Sequence, residues 1–144
     1  LSMWRPSSNK DHLARGADLL ERFGLSQHSQ RRVKELPGGI RKLLDIAIAM
    51  TGSPKLLLLD EPTSGVSAEE KFPMMDTIMR VLGNEPLTAL FVEHDMDIVR
   101  RYADRVIAFY SGRIIADASP DQALANEDVR RYVTGELRQE SSHA

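Results

Sequence analysis

The sequence has no cysteine among its 144 residues, which excludes a disulfide framework, a thiolate metal site and cysteine redox chemistry. It has no apolar run of bilayer length; the four leucines Leu56 to Leu59 are far too few to cross a membrane. Leu1 to Pro6 lack the basic segment, apolar run and small-residue cleavage site of a secretory signal. Leu1 is not an initiator methionine, so the start reads as a cut. There is no internal repeat, no low-complexity tract beyond the polar tail Gln139 to Ala144, and no inserted arm or basic tail of the kind that grips nucleic acid.

What is present is an ordinary globular composition, 42% apolar and 28% charged, in a length that suits one domain. Net charge is −2, unevenly spread: ten Lys and Arg face five Asp and Glu in residues 1–55, and nine face sixteen in residues 56–144. Charged faces of this kind are mostly solvated, and no function is drawn from the asymmetry.

Leu13, Ala17, Leu20 and Phe23 recur at helical spacing until Gly24 stops them. After the opening polar stretch Pro6 to Lys10 this predicts one amphipathic helix. Beyond the polar connector Ser26 to Arg32, Pro37-Gly38-Gly39 precedes a second helix carrying Ile40, Leu43, Leu44, Ala47, Ile48 and Met50, terminated by Gly52 and Pro54. Leu56 to Leu59, ending in Asp60-Glu61-Pro62, has the form of a strand buried on both faces of a parallel sheet. Ser67 and Glu70 have capping-box spacing, predicting a helix to Leu82 with Pro73 tolerated near its first turns. Leu87 to Val92 is a second buried strand, ending at Glu93-His94-Asp95. A short helix through Tyr102 follows, then a hairpin of Arg105–Tyr110 and Arg113–Asp117 about Ser111-Gly112, and short helices at Pro120–Ala125 and Asp128–Val133. The alternation predicts an α/β fold whose ligands collect beyond the carboxyl ends of the strands, where Asp60, Glu61 and His94 would lie.

A strand-end aspartate can hold magnesium while its neighbour orients and deprotonates a water, the two roles phosphoryl transfer needs. Gly38 and Gly39 at a helix start allow a phosphate close to backbone N–H groups at the positive end of the helix dipole. His94 can hydrogen-bond a terminal phosphate. Taken singly these have plainer readings: a turn or cap, a flexible loop, a solvated histidine paired with Glu93 or Asp95. Their joint order is what points to nucleotide chemistry.

In that order they resemble the ATP-binding-cassette ATPases. Leu36-Pro37-Gly38-Gly39-Ile40 is similar to the signature loop, usually LSGGQ, and Leu56-Leu57-Leu58-Leu59-Asp60-Glu61-Pro62 to the Walker B strand with its catalytic glutamate. Ser64-Gly65-Val66-Ser67 falls where the family has its D-loop, and Val92-Glu93-His94-Asp95 matches its switch-histidine segment. The resemblance implies an α/β fold: residues 53–144 as the C-terminal half of a P-loop-type (RecA-like) ATPase core with a mostly parallel sheet, preceded by the remaining helices of a helical subdomain in residues 1–52. It implies Glu61 as general base, His94 as phosphate sensor, and Asp60 as the metal ligand. Gly38 and Gly39 would bind nucleotide in trans, with Ser64, Gly65 and Ser67 in the D-loop. Within the family, Asp60 to Ser67, Val92 to Met96 and Asp128 to Val133 look like the ATPase subunits of branched-chain amino acid importers.

Three positions depart from the family pattern: Pro37 replaces the serine that would bind phosphate, Ile40 the usual glutamine, and Ser67 the common D-loop aspartate. No Gly is followed by Lys and no Lys by Ser or Thr, so a G-x-x-x-x-G-K-[ST] phosphate cradle is not among these residues. The expectation is therefore a piece of an importer ATPase, inactive alone and holding neither ATP nor Mg2+, both of which its parent would use. Expected partners are a second ATPase subunit, a membrane permease on the cytoplasmic face and, indirectly, a periplasmic solute-binding protein, with no nucleic acid. Uncovered apolar faces and strand edges would favour self-association. The alternatives are a non-catalytic chain that binds or regulates a cassette, and a cassette of repair or translation.

Overall fold

The computed structural model of the chain describes residues 9–135. The polar tail Gln139 to Ala144 and the opening stretch before Asn9 lie outside the described residues. The chain divides into two compact units between Val92 and Glu93, and each is described by itself.

The first unit opens with α1 (Asn9–Arg22). Gly24, at φ +70°, ends it as a left-handed cap: Gly24 N–H bonds Glu21 O at 2.9 Å and Leu25 N–H reaches back to Leu20 O at 2.6 Å, the Schellman pattern. Two single-turn 3-10 segments, Ser26–His28 and Val33–Glu35, lead to α2 (Gly38–Met50). This helix begins at Gly38, two residues before the apolar pattern starts, with Pro37 as its N-cap. It stops at Met50, before Gly52 and Pro54 as expected, and the left-handed residue of the turn is Ser53, at φ +49°. The guanidinium of Arg15 fastens that turn to α1, donating to Thr51 O at 2.7 Å and Ser53 Oγ at 2.8 Å.

β1 (Leu56–Asp60) and β2 (Thr88–Val92) pair in parallel, Leu56 beside Thr88 and Asp60 beside Val92. α3 (Ala68–Leu82) is the crossover between them. Its Met75, Ile78 and Val81 are buried to within 1% of completely, and with Phe23, Leu25, Leu43, Ile46 and Leu57 they form this unit's core. Cutting one of the large members back to alanine costs about 2–5 kcal/mol. Ser67 is the N-cap of α3 but not in the expected manner. Its hydroxyl donates to Glu70 Oε2 at 3.2 Å and accepts no backbone N–H, so the expected capping box is reduced to its side-chain pair.

The strands are not buried on both faces. Leu57 is 5% exposed, whereas Leu56, Leu58, Leu90 and Val92, alternate residues of one face, are exposed, Leu58 to 66%. Among the described residues the sheet has two strands, so each has an unpaired edge.

The second unit begins with α4 (Met96–Tyr102), whose N-cap Asp95 accepts from Asp97 N–H and Ile98 N–H at 3.1 and 3.4 Å. β3 (Val106–Tyr110) and β4 (Arg113–Ala118) form an antiparallel hairpin with a bulge at Ala108 and Phe109. Its two-residue turn is Ser111-Gly112, at φ +48° and +76°, the type I′ geometry that matches strand twist. α5 (Pro120–Ala125) packs on α4 and the hairpin through the fully buried Ala123. The last expected helix is present but changes type: α6 (Glu127–Val129), capped by Asn126, widens into a π-type turn over Arg130–Thr134 and stops at left-handed Gly135.

Candidate functional site

The turn after β1 carries the two carboxylates. Asp60 ends the strand, exposed. Glu61 leaves it with φ +44°, a left-handed conformation that costs a residue with a Cβ roughly 1–2 kcal/mol. Both of its backbone polar groups are bonded: its N–H donates to Val92 O at 2.9 Å, and its carbonyl accepts from Ser64 N–H at 3.1 Å and from Lys42 Nζ at 2.9 Å. Pro62 stands at the second turn position, where its fixed φ is suited. Gly65, at φ +73°, then lets the chain enter α3.

The signature-like loop meets this turn within the same unit. Leu36 is buried and anchors it. The first backbone bond of α2 runs from Arg41 N–H to Pro37 O at 3.0 Å, so helix geometry leaves the amides of Gly38, Gly39 and Ile40 without helical acceptors. A Cβ on Gly38 would sit 4.0 Å from Gly65 O, and one on Gly39 3.9 Å from Met74 Sδ and Val66 Cγ1. These are ordinary contacts, and neither glycine has positive φ. The chain's own packing therefore does not require glycine at 38 or 39, although it requires glycine at 65 for the backbone.

The structure thus brings Gly38, Gly39, Glu61, Ser64, Gly65 and Ser67 onto one loop cluster, with Asp60 at its strand end. His94 lies in the second unit, exposed. The neighbouring Asp95 carboxylate caps α4. Among the described residues no three His, Cys, Asp or Glu side chains gather into a metal cage. A magnesium ion takes one or two carboxylates and completes its shell with water and phosphate, and an exposed strand-end aspartate fits that limited role.

Residues 5–64 match a family model described as ABC transporter. The chain is 34% identical over 129 residues to the high-affinity branched-chain amino acid transport ATP-binding protein LivG of Escherichia coli (strain K12), covering 90% of this chain and 51% of that protein. It is 37% identical over 123 residues to the methionine import ATP-binding protein MetN of Caulobacter vibrioides, covering 83% and 37%. Its fold superposes on the ADP conformation of MJ1267, an ATP-binding cassette of an ABC transporter, with a TM-score of 0.78 at 28% identity, over 90% of this chain and 52% of that one. The chain is thus similar, over most of its length, to the ATP-binding proteins of ABC transporters. It spans about half the length of LivG and less of MetN. The α/β architecture of this chain, with its parallel β1–β2 pair, is that of its structural neighbour.

Lys42 is the residue of this cluster that the sequence did not single out. It lies on the α2 face of Ile46 and Ala49, and these three line one cleft with Leu57 and Asp60. A lysine three and four residues after the two glycines, in step with an apolar face, was the available signal.

Proposed function

We propose that this cassette chain supplies the water-activating carboxylate and the capping loop of an importer's ATP-hydrolysing subunit, one serving branched-chain amino acids. Glu61 takes the proton of the water that attacks the terminal phosphate, Asp60 contributes the magnesium carboxylate, and His94 donates to that phosphate. The bound Mg2+ supplies charge neutralisation of the phosphates. The free amides of Gly38 and Gly39, at the positive end of α2, close over ATP held by a second ATPase subunit. Pro37 offers neither hydroxyl nor N–H, so this grip rests on the two glycine amides. The phosphate cradle comes from outside these residues, and the chain alone neither hydrolyses ATP nor holds it tightly.

The observation that carries this reading is the pair Gly38 and Gly39, left without side chains where their own fold would accept them. Glycine inside a helix costs up to about 1 kcal/mol relative to alanine, and close approach by a phosphate is a reason to bear that cost. Gly39→Ala tests it: in the complete ATPase, thermal stability should hold or rise while ATP turnover falls at least roughly tenfold. Unchanged turnover would refute the capping role. The amino acid specificity is supported by the likeness to LivG, and MetN is named for methionine import. The subunit would sit on the cytoplasmic side of a permease that receives its solute from a periplasmic binding protein. No described helix is long and apolar enough to cross a membrane. The exposed face of Leu56, Leu58, Leu90 and Val92 supports self-association of the chain when nothing covers it.

A second reading, a non-catalytic chain that binds a cassette, is favoured by one feature, the absence of any Gly-Lys pair. Coding sequence upstream of Leu1 that encodes a phosphate cradle would eliminate it.

A further inference from the structure

We propose that Lys42 is a positioning residue for hydrolysis, holding the Glu61 peptide so that the carboxylate is aimed at the attacking water; the proposal rests on Glu61 acting as the base. Lys42 is half-buried and lines a cleft of about 250 Å³ with Asp45 and Asp60. Its hydrogen bond goes to neither aspartate but to the Glu61 carbonyl, at 2.9 Å. That carbonyl belongs to a residue at φ +44°. A left-handed residue with a side chain persists only where its surroundings over-determine it, and here three bonds do so.

The three bonds are not equivalent. Ser64 N–H closes the turn locally, and Val92 O receives the Glu61 N–H along the sheet. Lys42 alone comes from a helix, 19 residues away, and its bond carries a full charge, which makes it stronger than its neutral counterparts. Without it Glu61 can relax toward φ < 0, which swings its Cα–Cβ bond and carries the carboxylate off the line of attack. Errors of about 1 Å in such a position cost up to about 10²-fold in rate.

The test has a structural and a kinetic arm. In the 144-residue chain, Lys42→Met should move the Glu61 carbonyl 13C resonance upfield and speed exchange of the Ser64 amide, and Lys42→Arg should restore both. A Glu61 resonance that stays put in Lys42→Met overturns the proposal. Should that variant fail to fold, the wild-type chain decides: Lys42 ammonium protons protected from solvent support the contact, and a freely exchanging ammonium refutes it. In the complete ATPase, Lys42→Met should lower kcat roughly tenfold or more with KM for ATP little changed, and Lys42→Arg should recover most of it. Unchanged kcat in Lys42→Met, with Glu61→Gln inactive, overturns the positioning role and leaves the base assignment standing. Full turnover in Glu61→Gln overturns both, and the carbon resonance then reports the contact separately from the chemistry.

Discussion

The turn after β1 and the turn between β3 and β4 each place a non-glycine residue in the left-handed region, Glu61 at φ +44° and Ser111 at +48°. The hairpin turn is built locally: Ser111 is followed by Gly112, and the strand twist on either side favours the I′ geometry. The β1 turn has local help from Pro62 and Ser64, but its carbonyl is also held by Lys42 on α2 and its N–H by the end of β2. One strained residue is a product of its neighbours. The other is held by the tertiary fold, and it is the one that carries the proposed catalytic group.

This contrast can be broken from either side. The largest effect is expected from Lys42→Met, which should cost about 1.5 kcal/mol, as for a partly buried hydrogen bond to a charged group. Native-state amide exchange should show the loss at Ser64 and not at the hairpin. If Ser64 keeps its protection, the β1 turn is as local as the other. Gly112→Ala should cost about 1 kcal/mol, because φ +76° burdens a Cβ even where the space around it is open. Its effect should be confined to β3–β4 amides.

A smaller effect should come from pH. At the open end of the hairpin Arg105 grips Asp117 through two hydrogen bonds of 2.7 Å, and these hold the Asp117 carboxyl below the ordinary carboxylate range. A depressed carboxyl stabilises the folded state above its unfolded value, and that contribution is lost as pH falls through the folded value. The pair is exposed, so the effect is modest. Asp117→Asn should make hairpin protection less sensitive to acid than wild type; equal sensitivity would show that the pair contributes nothing.

Legibility in the sequence follows the same division. The hairpin about Ser111-Gly112, the Gly24 stop and the parallel strands were readable because each is set by residues adjacent in the chain or by a continuous apolar run. The exposed face of β1 and β2 was misread because four leucines in a row announce burial, and burial depends on what lies over the strand. The left-handed Glu61 and its bond to Lys42 were invisible, since neither a glycine nor a short spacing marks them. Ser67 and Glu70 had the right spacing for a capping box, but the hydroxyl turned to the carboxylate in place of the amide. The motif residues were found by their order along the chain. Their mutual geometry came from α2 packing beside the β1 turn.

The proposed role of Glu61 as the base of an ATP-hydrolysing site is decided by single-turnover and steady-state hydrolysis by the complete ATPase carrying Glu61→Gln. ATP binding should stay close to wild type, with hydrolysis reduced at least roughly 10²-fold. Wild-type turnover in that variant would contradict that role.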